Sequence, residues 1–126
     1  MLQGWLREDG QAVVELDVVC RNGSFYSIAA VIDTGFNGQV SLARHIVAAL
    51  DLPLTYEGTV EVELASGAVV EEDVYSGSIR FDGRELQAEI LLTDAEDTLI
   101  GTGLLTGKVL LMNFATREVL IQDHIP

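Results

Sequence analysis

Ala30-Val31-Ile32-Asp33-Thr34-Gly35 places a carboxylate at the end of an apolar run, followed at once by a hydroxyl residue and a glycine. A second stretch echoes it: Ile32-Asp33-Thr34-Gly35 stands against Ile100-Gly101-Thr102-Gly103 at a constant offset of 68 residues. The match resumes with the offset one residue longer, Gly38, Val40 and Leu42 against Gly107, Val109 and Leu111. Each copy reads as an apolar strand, a glycine-bearing loop and another apolar stretch. The echo has two explanations, coincidence among residues common in β-proteins, or an approximate twofold whose loops approach each other. In the second case Asp33 has no acidic counterpart, because Gly101 occupies its place.

The Asp33 loop is where chemistry is expected. Gly35 permits backbone angles or a close approach that a side chain would block, and the Thr34 hydroxyl can lock the loop by hydrogen bonding. One such carboxylate is a weak catalyst of amide hydrolysis. Two in contact share a proton, so that one draws a proton from water while the other polarises a carbonyl. A chain with one Asp-Thr-Gly obtains its second carboxylate most simply from a second copy, Asp33 meeting its own symmetry mate.

The surrounding sequence reads as strands. Ala12 to Val19 and Phe25 to Ile32 flank Asn22-Gly23, a strong hairpin signal. Val60 to Leu64 and Ala68 to Ser78 flank Ser66-Gly67, a second hairpin with a small tip. Ile79 to Phe81 and Leu86 to Leu92, around Asp82-Gly83, predict a third pair, and Val109 to Phe114 with Glu118 to Gln122 a last one. One definite short helix is expected over Leu42 to Leu50, with Ser41 as N-cap and Pro53 beyond its end. A second helical turn is expected at Gly103 to Thr106. With no linker or low-complexity stretch, residues 1–126 read as one all-β domain.

These residues resemble the retropepsin-like aspartic proteases, and among them the single-domain bacterial relatives of the retroviral enzymes. The likeness is carried by Ala30 to Gly35, by the hairpin around Ser66-Gly67, and by Thr98-Leu99-Ile100-Gly101-Thr102-Gly103-Leu104-Leu105, which is similar to the family's hydrophobic-hydrophobic-Gly motif and short helix. It spans roughly residues 12 to 122. The resemblance implies an all-β, retropepsin-like acid-protease half-barrel with one short helix after the active-site loop and a flap hairpin. It implies Asp33 as the catalytic residue and Thr34 as part of the network joining two active-site loops. Gly35 would face the substrate backbone, and the hairpin tip at Ser66 and Gly67 would close over a peptide. Phe36 replaces the small residue of the viral enzymes, and Asn37 stands where they carry an acid. Phe36-Asn37-Gly38 fits the bacterial pattern better, and Phe36, Asn37 and Gly38 are expected to touch substrate.

Charge and composition narrow the partners. The 126 residues are 48% hydrophobic, with 7 Lys plus Arg against 20 Asp plus Glu, a net −13. Such a surface repels phosphate backbones and anionic lipid, so neither nucleic acid nor membrane is expected as a partner. The single cysteine, Cys20, with His45 and His124, cannot build a zinc site. Glu71-Glu72-Asp73 and Asp94-Ala95-Glu96-Asp97 lack the spacing of a calcium loop and read as solvated faces. On a flap, the first cluster would attract basic peptides. No metal or other cofactor is expected. No secretory signal is recognisable, which makes a cytoplasmic address the expectation. The leading reading is therefore a homodimeric aspartic endopeptidase acting on peptides. Two others stand beside it: a non-catalytic retropepsin-like module for dimerisation or peptide binding, and an unrelated small β-barrel in which Asp33-Thr34-Gly35 is a structural turn.

Overall fold

Ala12, Val14, Leu16 and Val18 alternate inward along β2 (Ala12–Val19) and form one wall of the hydrophobic core. The computed structural model describes residues 1–125. Before β2 comes β1 (Leu2–Leu6); after it come β3 (Phe25–Ile32), β4 (Val40–Ala43), α1 (Arg44–Leu50), β5 (Thr55–Glu63), β6 (Val69–Phe81) and β7 (Arg84–Thr93). The chain continues through β8 (Thr98–Ile100), α2 (Thr102–Leu105), β9 (Lys108–Asn113) and β10 (Glu118–Asp123). Neighbouring strands run β5-β6-β7-β4-β8-β3-β2-β1-β10-β9, and β6 also pairs with β2. That extra pairing closes β2, β3, β8, β4, β7 and β6 into a six-stranded barrel. Two ribbons project from it: the β5–β6 hairpin, and the small sheet of β1, β10 and β9.

The barrel's closing seam is short, with Asp17 opposite Arg80 and Val18 opposite Ile79. A charged clamp covers it. Arg80 Nη2 and Nε lie 2.6 and 2.9 Å from Asp17 Oδ2, and the guanidinium stacks 3.9 Å above the Phe25 ring. The Ser27 hydroxyl donates to the other Asp17 oxygen. Ser27, and then Arg80, hold the Asp17 carboxyl below its ordinary value, against a partial burial that would raise it.

The echo in the sequence is a pairing register. β3 and β8 run parallel with Ala30 opposite Thr98, Val31 opposite Leu99 and Ile32 opposite Ile100. Both strands end at glycine-bearing loops lying side by side, and the Asp33 amide donates to the Ile100 carbonyl at 2.9 Å. Symmetry stops there, since β4 pairs with β8 and β7, whereas β9 pairs with β10.

Several elements differ from expectation. The helix begins at Arg44 rather than Leu42, and Ser41 is no N-cap but a buried residue of β4. Backbone pairing on both sides of β4 claims residues 40–43, and Thr98 Oγ1 accepts from the Ala43 amide at 3.2 Å. Ile79 to Phe81 is not a separate strand. β6 runs unbroken for 13 residues because it has partners along its whole length, β5 first, then β7 and β2. The short helical turn covers Thr102–Leu105, one residue earlier than predicted.

Two measurements check this account. Asp17→Asn should cost about 1 kcal/mol of stability at neutral pH through its lost charged hydrogen bonds. Because the folded Asp17 titrates below its ordinary 3.8, its contribution is complete above that pH and fades as pH falls through the lower folded value. Denaturant curves for the two proteins should therefore converge in strong acid. Gly101→Ala should cost about 3 kcal/mol by overpacking, because a Cβ there would lie 2.2 Å from the Gly38 carbonyl oxygen. A thermal midpoint equal to that of the parent protein would refute this.

Candidate active site

β3 delivers Asp33 from the buried Val31 and Ile32 to a half-exposed position at the barrel's end. The loop turns back on it at once. Asp33 Oδ1 accepts from the Gly35 amide at 2.9 Å, and the Phe36 amide donates to the Asp33 carbonyl at 3.1 Å. One carboxylate oxygen is thus fixed by the backbone. A Cβ on Gly35 would lie 3.2 Å from Asp33 Oδ1, so glycine keeps the carboxylate uncovered on that side.

The loop after β8 holds this one from beneath. The amides of Gly101, Thr102 and Gly103 donate to the carbonyls of Gln39, Phe36 and Gly38 at 3.0, 2.8 and 3.1 Å. Thr102 Oγ1 adds a second bond to the Phe36 carbonyl at 3.3 Å. The Phe36 ring lies over the α-carbons of Gly38 and Gly101, where added Cβ atoms would fall 2.5 and 2.6 Å from it. Position 101 therefore has no room for a carboxylate, and Asp33 is the one acid these two loops carry.

Above the loop lies a cleft of about 700 Å³. Asp33, Gly35, Phe36, Asn37 and Gly38 form its floor, residues 60–65 of the β5–β6 hairpin its roof, and Glu89, Leu91 and Leu99 a wall. β5 is an edge strand of the sheet, so its outer backbone groups are free to pair with an extended chain.

Asp33, Gly35, Phe36, Asn37 and Gly38 are brought together in this cleft as expected candidates, while Thr34 is exposed at the loop's apex. Within the chain the loops are joined by Thr102, not Thr34. Ser66 and Gly67 form the hairpin tip, with Gly67 at φ 86°, but Leu64 and Ala65 reach the cleft instead. Sequence reading missed Val60, Val62, Leu91 and Leu99, whose common surroundings arise only from folding. It also missed Gln39, whose Oε1 accepts from the Glu89 amide at 2.6 Å and ties the loop to β7. Glu71, Glu72 and Asp73 lie on β6 of the hairpin, yet the acids lining the cleft beside Asp33 are Glu61, Glu63 and Glu89. Asp94 and Asp97 pair with Arg44 and Arg7. His45 is exposed on α1, and Cys20 packs half-buried against the core. Among the described residues, no group of three or more His, Cys, Asp and Glu is arranged to hold a metal ion, and no helix is long and apolar enough to cross a membrane.

No family model matches the sequence, and no curated protein matches it. Solved structures do. A retropepsin-like aspartic protease from Rickettsia conorii superposes with a TM-score of 0.64 at 17% identity, covering 94% of this chain and 87% of that one. The EIAV protease in complex with an inhibitor gives 0.60 at 17% identity over 79% of this chain and 88% of its own. The simian foamy virus protease gives 0.51 at 16% identity, over 74% and 90%. Similarity at these scores over most of the chain shows the architecture: this chain has the retropepsin-like aspartic protease fold.

Proposed function

We propose that the protein is an aspartic endopeptidase assembled from two copies, hydrolysing peptide bonds with a water molecule held between the two Asp33 carboxylates. The observation that carries this reading is a lone carboxylate, backbone-anchored on one oxygen, on the floor of a peptide-sized cleft whose second loop is sterically closed to an acid.

A substrate in extended form would pair with the free edge of β5 and lie across Asp33 and Gly35. One Asp33 of the pair, ionised, removes a proton from water as the oxygen attacks the carbonyl carbon. The protonated partner's Asp33 donates to the carbonyl oxygen, giving a neutral tetrahedral diol. On collapse, the Asp33 that took the proton from water gives it to the amide nitrogen as the C–N bond breaks. The ionised Asp33 takes a proton from a diol hydroxyl, so the dyad again holds one shared proton. Lowering the pH favours that state and also relieves repulsion between two chains of net −13.

Activity should therefore be greater on the acid side of neutrality, where repulsion between two chains of net −13 is relieved. Ser27 and Arg80 keep the Asp17 clamp ionised to lower pH than an ordinary aspartate, so the barrel seam is not what limits activity in mild acid. Asp33→Asn should reduce kcat by roughly a thousandfold or more with an unchanged circular dichroism spectrum. Sedimentation that finds only monomer during turnover would refute the paired-carboxylate mechanism. Peptide binding by a protein that never cleaves would favour the non-catalytic module, for which the free β5 edge is the supporting feature.

A further inference from the structure

The chain has only seven Lys and Arg residues, and their placement is uneven. Arg7 pairs with Asp9 and Asp97, Arg21 with Asp51, Arg44 with Asp94, Arg80 with Asp17, Arg84 with Asp123, and Lys108 with Asp82 and Asp123. Arg117 is spent on the Leu6 carbonyl, to which it donates at 2.8 Å. Every carboxylate in an ion pair among the described residues is an aspartate; no glutamate has a cationic partner. None of the seven cations lines the cleft over Asp33, whereas Glu61 and Glu63 in its roof and Glu89 in its wall do.

These three glutamates come from two strands on different sides of the cavity, and all are exposed. Along β5, Val60 and Val62 alternate with Glu61 and Glu63 and so occupy the opposite face of the strand, while Leu91 stands two residues beyond Glu89 on the same face of β7. Low-dielectric walls carrying charge of one sign concentrate the field in the space they enclose. A peptide entering along β5 would set side chains of alternate residues against the roof and the wall. Side chains on the two faces of such a peptide therefore meet different partners: apolar ones the valine face of β5, and cationic ones the face that carries Glu61 and Glu63. The hairpin strengthens the same field, because Glu61 stands opposite Glu71, Val60 opposite Glu72 and Thr59 opposite Asp73.

We infer that this cleft selects peptides carrying lysine or arginine beside the segment held over Asp33, with Glu61, Glu63 and Glu89 as the specificity-determining residues. The inference rests on reading the cleft as a peptide-binding site, and its test separates binding from cleavage. Asp33→Asn protein would be titrated with a fluorescent extended peptide containing arginine, and with the same peptide containing citrulline, a neutral isostere. Anisotropy should give about tenfold tighter binding of the arginine peptide at low ionic strength, narrowing in ~0.5 M salt. Combined Glu61→Gln, Glu63→Gln and Glu89→Gln should abolish the difference, whereas Glu118→Gln, remote from the cleft, should preserve it. Equal affinities, no binding of either peptide, or a preference that survives the triple substitution would each overturn the inference. In the active protein, equal cleavage of both peptides would overturn it while leaving the protease reading intact. Arginine-dependent binding without cleavage would uphold it and remove the protease.

Discussion

The structure depends on the contact between two loops that are far apart in sequence. The amides of Gly101, Thr102 and Gly103 all donate to carbonyls of the segment 36–39, and the Asp33 amide donates to Ile100. These bonds require the two backbones to touch, and that requires a hydrogen atom in place of a side chain at Gly101 and Gly103. They also require β3 and β8 to end at the same level, which their parallel register secures. The short, wholly buried β4 follows segment 33–39, runs between strands β7 and β8 in the sheet, and so fixes the far end of that segment. The Asp33 carboxylate is consequently oriented by the barrel itself, in advance of any ligand.

That packing also limits what one chain can do. The closeness that immobilises Asp33 removes the space in which a second acid would stand, so rigidity of the loop and incompleteness of the proposed dyad have one cause. A larger residue at 101 would push away the Phe36 and Gly38 carbonyls and with them the loop whose geometry the acid needs. In the proposed assembly, a second carboxylate from another copy of the same rigid loop would avoid this conflict. The cost of that assembly would be electrostatic, since two chains of net −13 would have to meet, and it would fall as the medium becomes more acid.

The use of charge separates scaffold from cleft. Aspartates, with their short side chains, make the ion pairs that join distant elements: Asp17 closes the barrel seam, Asp51 ties the end of α1 to the β2–β3 turn, and Asp97 links the β7–β8 loop to Arg7. Among the described residues no glutamate has a cationic partner, and Glu61, Glu63 and Glu89 line the cleft beside Asp33. Exposed pairs contribute little each to stability. The greater consequence of committing the cations elsewhere is that the cleft over Asp33 is lined by carboxylates and by none of the seven Lys and Arg residues.

How much of this was legible in the sequence follows from the range of the interactions involved. Hairpins announced by adjacent residues, Asn22-Gly23 and Ser66-Gly67, appear where the turn chemistry put them, and β2 and β3 match their predicted limits. Asp33, Gly35, Phe36, Asn37 and Gly38 were identifiable because they are contiguous. β1 and β4 were not, because Leu2–Leu6 and Val40–Ala43 become strands through partners far away in the chain. Leu42 in particular fell into the apolar spacing of the following helix. Nothing local marks Gln39, whose bond to β7 spans 50 residues. The offset of 68 was the informative exception, a long-range fact visible in one dimension. Strands paired in parallel register and ending at interlocked loops meet nearly the same neighbours, and so need nearly the same residues. They part company at Asp33 and Gly101, where one loop must present a carboxylate and the other must leave room for its neighbour's backbone.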